Sequence, residues 1–329
     1  MKETAQQLLF NEIRSKSGSN ASLVNEISEI LGISIDSAYR RLRGEKLLSL
    51  DELTLLVTHF SISLDALLHI QSGTLLFNYV TLNQENPQYL AFLENVYNDV
   101  NSLSRLPELD VIISAKDFPV FYNFYIPEIA AFKSFFWKKS IIQIPEFKQL
   151  KFDPEKLIEE ELNLGQKIAI NFSRIPTRQL WNEEVFSSLL NQINYFNDSG
   201  FMLNKNSALH LLNKTLELVD HFQNMAEMGA HFLPGKEILV ADSFRLYQND
   251  VIFGDNTIIV NSPNLKRVIY THNVIDTLYS HDSTFFDNSL RTHENILNRS
   301  VLLSKASERE RHRFFKKIRD KVEHSINSL

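Results

Sequence analysis

The chain has 329 residues, 43% of them hydrophobic with 24 Phe, and a formal net charge of −6. That length suggests two domains, and that composition a real core, which excludes a disordered or fibrous chain. The negative balance argues against a protein that coats nucleic acid, and the absence of cysteine excludes disulfides and thiolate metal sites. In chain order, residues 4–15 place Ala5, Leu9 and Ile13 on one helical face, and the polar loop SKSGSN (15–20) follows. Residues 22–31 form a second amphipathic helix on Val24, Ile27 and Leu31, and Gly32 closes it. Ser34 caps a third helix in which Ala38 and Leu42 face inward, which turns Asp36, Ser37, Arg40, Arg41 and Arg43 outward. Gly44 ends it. Ser49 and Glu52 make a capping box for a fourth helix, and Ser63 caps a short fifth that runs to Ile70.

Gln71-Ser72-Gly73 marks a domain boundary, giving domains 1–72 and 73–329. Beyond it, 74–82 reads as a strand, and Asn86-Pro87 opens a helix on Tyr89, Leu93, Val96, Val100 and Leu103. Residues 110–115 read as a buried strand, and the aromatic stretch 118–137 as a strand followed by a helix from Pro127. Residues 140–176 carry no clear pattern. Residues 177–196 read as one helix on Trp181, Val185, Leu189 and Ile193, and 207–231 as a long helix. The runs EILVA, FRLY, VIF, TIIV and KRVIY between 236 and 271, separated by turn signals, predict an antiparallel meander. Helices return at 283–298 and from Ser307, where Ser307 and Glu310 have capping-box spacing. The last helix bears an apolar row of Phe315, Ile318, Val322 and Ile326 amid dense positive charge, and is expected to dock on its own domain near a dimer interface with its basic residues in solvent.

The pattern Ser28, Leu31, Gly32, Ile33, Ser34, followed by Ala38, RRLRGE at 40–45, SLDEL at 49–53 and ISLDALL at 62–68, resembles the lambda-repressor-like (Cro-type) helix-turn-helix family. The resemblance covers about residues 1–70. Val24 stands where the family usually has a phosphate-contacting glutamine, and Arg41 and Leu42 where an apolar residue and a glutamate are more usual. It implies a five-helix DNA-binding domain whose third helix enters the major groove. The fold expected is therefore mainly α, with that domain joined to a larger α+β domain of one antiparallel sheet covered by helices; the second domain is similar in outline only to PAS- or GAF-like sensors.

On this reading Asp36, Ser37 and Arg40 meet base edges, since arginine can bond two acceptors of guanine and aspartate can accept from cytosine. Arg41, Arg43 and Lys46 meet phosphates, with Ser22 and Asn25 as neutral donors. Asp36 also suits the acid that a helix dipole favours at any helix start, and Tyr39 either packs or contacts DNA. Residues 1–70 hold seven Lys+Arg against nine Asp+Glu, so the domain is not basic overall; the charge is concentrated at Arg40, Arg41, Arg43 and Lys46. His272, His281, Asp282 and His293 share a region but no ligand spacing, and no nucleophile elbow or phosphate loop occurs, so no catalysis, metal or cofactor is expected. No run approaches the roughly 18 apolar residues of a membrane span, and MKETAQQLLFNE has no apolar signal core, so a cytoplasmic protein without a membrane partner is expected. The function expected is a sequence-specific regulator of transcription that binds double-stranded DNA as a homodimer and senses a small-molecule or protein effector through residues 73–329. The alternative is a phage-repressor or antitoxin-like protein whose second domain binds another protein and no small molecule.

Overall fold

The computed structural model describes residues 4–16, 20–60, 62, 64–67, 75–80, 89–251, 253–272, 274 and 276–329, with backbone only at 15, 16, 20–22, 65 and 66. The expected Ser63 cap, the Gln71–Gly73 boundary, the Asn86-Pro87 helix start and the side chain of Ser22 lie outside the described residues. The chain divides into two compact units between Leu76 and Phe77.

In the first unit four short helices, α1 (Ala5–Lys16), α2 (Asn20–Leu31), α3 (Ile35–Leu42) and α4 (Leu50–His59), form a compact bundle, followed by a single turn, α5 (Leu64–Leu67). Leu9, Phe10 and Ile13 of α1, Leu23, Val24 and Ile27 of α2, Ala38 of α3 and Leu56 of α4 make its core. Burying these side chains is the main force holding helices this short, which are marginal in isolation. Gly32 sits at φ +60°, in the left-handed region, and Ser28 Oγ donates to the Ile33 carbonyl, so the α2–α3 turn is fixed from both sides.

The second unit is built on one eight-stranded sheet. Its strands are β1 (Asn78–Val80), β2 (Asp110–Ser114), β3 (Thr177–Trp181), β4 (Phe244–Gln248), β5 (Thr257–Ser262), β6 (Leu265–His272), β7 (Asp276–Ser280) and β8 (Val301–Leu302). They lie in the order β1-β7-β6-β5-β2-β3-β4-β8. Of the expected meander only TIIV and KRVIY pair as neighbours, in the antiparallel hairpin β5-β6; FRLY is β4, parallel to β3, and β7, beyond the expected runs, extends the antiparallel side, while β1 and β8 add antiparallel edges. The centre differs from the all-antiparallel expectation, because β2, β3 and β4 are mutually parallel.

Parallel neighbours need long crossovers, and right-handed crossovers progressing in one direction leave their helices on one face. The helices α7 (Pro127–Phe136) and α8 (Glu159–Phe172) connect β2 to β3, and α9 (Ser187–Asp198) and α10 (Lys205–Met228) connect β3 to β4. With α6 (Tyr89–Leu103) and α12 (Glu308–Ser328) they bury Val111, Ile113, Trp181, Phe244 and Leu246 of the sheet. The other face, Ile112, Leu180, Ile259 and Val268, is covered by Phe286 and Leu297 of α11 (Ser283–Leu297).

Several sequence expectations change here. Residues 177–181 are a strand and not the first turn of a helix, because its core-facing row is Thr177, Gln179 and Trp181. Two of these are polar and hide the apolar alternation of a strand. EILVA forms no strand; Ile238 and Leu239 are exposed and have no face to bury. Val120–Tyr125 is a 3-10 helix in place of a strand. Ser307 does not cap α12: its φ of +58° is left-handed, whereas an N-cap needs extended backbone.

The C-terminal helix docks on its own unit, burying Phe314, Phe315, Ile318 and Val322. Its basic residues are less free than expected. Lys317 and Lys321 pair with Glu183 and Glu184, Arg319 pairs with Asp220, and Arg311 is buried and donates to the carbonyls of Leu303 and Ala306. Among the described residues no helix is long and apolar enough to cross a membrane.

Candidate nucleic-acid interface

Ser34 has extended backbone, and its Oγ accepts from the Ser37 amide, so α3 starts where the sequence places it. At 100° per residue, Ala38 and Arg41 fall on the buried side of α3, and Ile35, Asp36, Tyr39 and Arg40, continued by Arg43, form one exposed row. Asp36, Arg40, Arg43 and Lys46 are exposed, Ser37 is half-buried at the rim of that row, and Asn25 is exposed on α2.

Arg41 corrects the expectation that it faces outward. It is 3% exposed, and its guanidinium reaches Glu52 of α4 with both Nε (3.0 Å) and Nη2, while Nη1 donates to the Ser37 carbonyl at 3.1 Å. Glu52 Oε2 also accepts from the Ser49 amide at 3.0 Å, closing the expected capping box. One carboxylate therefore caps α4 and ties it to α3. Hydrogen bonding from Arg41, aided by the Ser49 amide, holds the Glu52 pKa below the usual carboxylate range. A two-toothed arginine–carboxylate pair fixes orientation as well as distance, so it sets the rotation of α3 about its axis.

The loop after α3 is held by Gln6, a residue that no sequence pattern singles out. Gln6 of α1 donates from Nε2 to the carbonyls of Arg41 (2.8 Å) and Lys46 (2.9 Å) and accepts on Oε1 from the Leu48 amide (3.0 Å). Gly44, at φ +77°, makes the turn that this clasp requires. No periodicity marks Gln6, because its partners are backbone groups some forty residues away. For Arg41 the sequence holds a signal: it lies three residues after the inward Ala38, on the same side of the helix.

Arg40 and Arg43 are not isolated charges. Glu45 lies between them, 3.0 Å from Arg43 Nε and 3.9 Å from Arg40 Nε. All three side chains are about half exposed, and pairs of this kind contribute little and exchange readily for another anion. The surface also carries exposed apolar groups, Ile35 and Tyr39 on α3 and Leu47 and Leu50 beside it.

In the second unit, the C-terminal histidines do not converge. His281 is exposed and faces the Lys266 carbonyl, and His293 is buried against Phe253 with Nδ1 on the Ser289 carbonyl. Among the described residues no group of three His, Cys, Asp or Glu could hold a metal. No family model, curated protein or solved structure matches the chain.

Proposed function

We propose that the first unit is a helix-turn-helix DNA-binding domain of the Cro type and that the protein is a sequence-specific regulator of transcription. The observation that carries this reading is the row Ile35, Asp36, Tyr39, Arg40 and Arg43, presented on a short capped helix whose rotation is locked by Arg41–Glu52. A short helix with outward polar and arginine side chains suits the major groove, and Ile35 and Tyr39 add apolar surface for thymine methyl groups. Arg40, Asp36 and Ser37 would read bases, and Arg43 and Lys46 would hold phosphates with Asn25 and Ser22. Arg41 leaves the list of contacts; its role is to orient α3. Glu45 would be displaced from Arg43 by phosphate.

The second unit would dimerise, so that two heads meet half-sites about one helical turn apart, and would sense an effector that alters their spacing. An open crevice of about 720 Å³ in that unit favours a small-molecule effector over the phage-repressor or antitoxin-like alternative, which needs only a protein-binding surface. No catalytic role is proposed.

Titration of Arg40→Ala and Arg43→Ala on a library of DNA sites at two salt concentrations tests the division of roles. Arg40→Ala should cost ~1–3 kcal/mol on the best site and relax preference at one base pair. Arg43→Ala should weaken all sequences about equally and flatten the salt dependence. Identical behaviour of the two variants would refute the assignment.

A further inference from the structure

The end of the sheet at which the parallel strands β2 and β3 both finish opens into the crevice of about 720 Å³. Ligands of open α/β sheets characteristically bind outside the carboxyl ends of parallel strands. Here Lys116 and Asp117 follow β2, Asn182 and Glu184 follow β3, and Asn256 precedes β5. The Asn256 Oδ1 accepts from the amides of Lys116 (2.7 Å) and Asp117 (3.1 Å), so the loop carrying Asp117 is tied to the sheet.

Two polar groups on the walls, Lys133 and Asn123, are poorly compensated by the protein itself, and a third, Asp117, accepts a hydrogen bond from Ser188 but has no ion-pair partner among the described residues. Lys133 of α7 is 9% exposed, and its ammonium donates to a neutral partner, Gln192 Oε1 of α9, at 2.8 Å. Asp117, which lines the same crevice, acts on that charge through space and makes no ion pair with it among the described residues. Burial pushes the Lys133 pKa down to about 8 and raises that of Asp117, the direction expected of charges whose desolvation is not repaid. Asn123 is 3% exposed and lines the same space, yet its Oδ1 accepts no hydrogen bond. A buried acceptor without a donor is unfavourable, and a ligand donor would relieve it. Phe136, Trp137 and Tyr195 supply an aromatic wall.

We propose that this crevice binds a small zwitterion of the amino-acid type, its carboxylate toward Lys133, its ammonium toward Asp117 and the Asn123 carbonyl, and its side chain along the aromatic wall. A simple anion would leave Asp117 facing it, and a simple cation would leave Lys133 uncompensated; only a molecule carrying both charges answers both walls. The same polar groups explain why the site is not a lipid or hydrocarbon pocket. The proposal rests on the sensing half of the regulator reading and not on DNA recognition.

The test is calorimetric titration of the full chain, without DNA, with each of the twenty L-amino acids, followed by the decarboxylated amine and the deaminated acid of the best binder. Trp137 fluorescence provides a second readout of the same site. The expected result is saturable binding of one amino acid or one side-chain class, at least tenfold weaker binding of both single-charge analogues, and at least tenfold loss in Lys133→Met and in the isosteric Asp117→Asn. Absence of saturable binding by any amino acid, or equal binding of the amine or the acid alone, overturns the proposal. Unchanged affinity in Asp117→Asn does the same. The analogue comparison uses the unaltered protein, so it stands whether or not Lys133→Met folds. Because DNA is absent, failure here leaves the reading of α3 intact, and failure of DNA recognition leaves this site intact.

Discussion

Glu52→Ala is expected to destabilise the N-terminal unit by about 3 kcal/mol or more, out of proportion to the loss of one partly exposed carboxylate. The substitution leaves Arg41 buried without a counter-charge, and breaking one side of such a pair typically costs about 3–5 kcal/mol. It also removes half of the capping box at Ser49. Both tryptophans, Trp137 and Trp181, belong to the second unit. The loss should therefore appear as an earlier unfolding step in circular dichroism that is silent in tryptophan fluorescence. The double variant Arg41→Leu/Glu52→Leu should recover much of the stability, since a buried pair can be replaced by apolar groups of similar volume at little cost. The pH dependence has a fixed sign. With its folded pKa lowered below the unfolded value, Glu52 stabilises the unit at neutral pH, and that contribution disappears as the pH falls through the folded pKa. A Glu52→Ala protein as stable as the parent would show that Arg41 is not held as described.

The second unit should lose stability on mild acidification through His231. This side chain is fully buried among Phe172, Phe244 and Tyr122, and burial pulls its pKa down to about 3. Gln179 Nε2 donates to Thr177 Oγ1 (2.9 Å) and to the Tyr122 hydroxyl, which leaves the Thr177 proton for Nε2 of a neutral His231 at 2.8 Å. The Trp181 indole donates to Gln179 Oε1 at 3.0 Å, completing a polar network inside the core. The unfolded chain takes up a proton on this ring near pH 6.5 and the folded chain does not. The stabilisation is therefore whole above that value and falls by up to about 1.4 kcal/mol per pH unit down to about pH 3. His221 and His293, also lowered by burial, act in the same direction. Denaturant unfolding followed by tryptophan fluorescence at a series of pH values measures the slope, and His231→Gln should flatten it even while lowering stability at neutral pH. An unchanged slope in that variant would exclude His231 as its origin.

What the sequence discloses and what it conceals follow from where hydrogen-bond partners lie. The helices of the first unit are legible because caps and apolar spacing are local: Ser34, Ser49 and Glu52 act within one turn of themselves. Arg41 is misread for the same reason. Its partner is eleven residues away, and a charged side chain at an inward position violates the apolar pattern unless that partner is known. In the second unit, TIIV and KRVIY read as strands because each holds a β-branched or aromatic run, IIV in β5 and VIY in β6, between turn signals. β3 is hidden by Thr177 and Gln179, whose polarity is matched by each other, by Trp181 and by Tyr122 and His231, the last two brought in from 3-10 and loop segments far along the chain. The parallel order of β2, β3 and β4 is likewise set by two crossovers, the first of which ends in residues 140–176, a stretch with little periodicity. The crevice is invisible in sequence because Asp117, Asn123, Lys133 and Gln192 share no motif and meet only through that topology.

Selection of duplexes from a random library by the full chain, followed by sequencing, is the most direct measurement of what the first unit does. The account predicts enrichment of a two-fold symmetric motif with half-sites about one helical turn apart, lost at one base pair per half-site when Arg40→Ala replaces the parent. A pool that stays random after repeated rounds, with binding no stronger than that of an unrelated acidic protein, would contradict it.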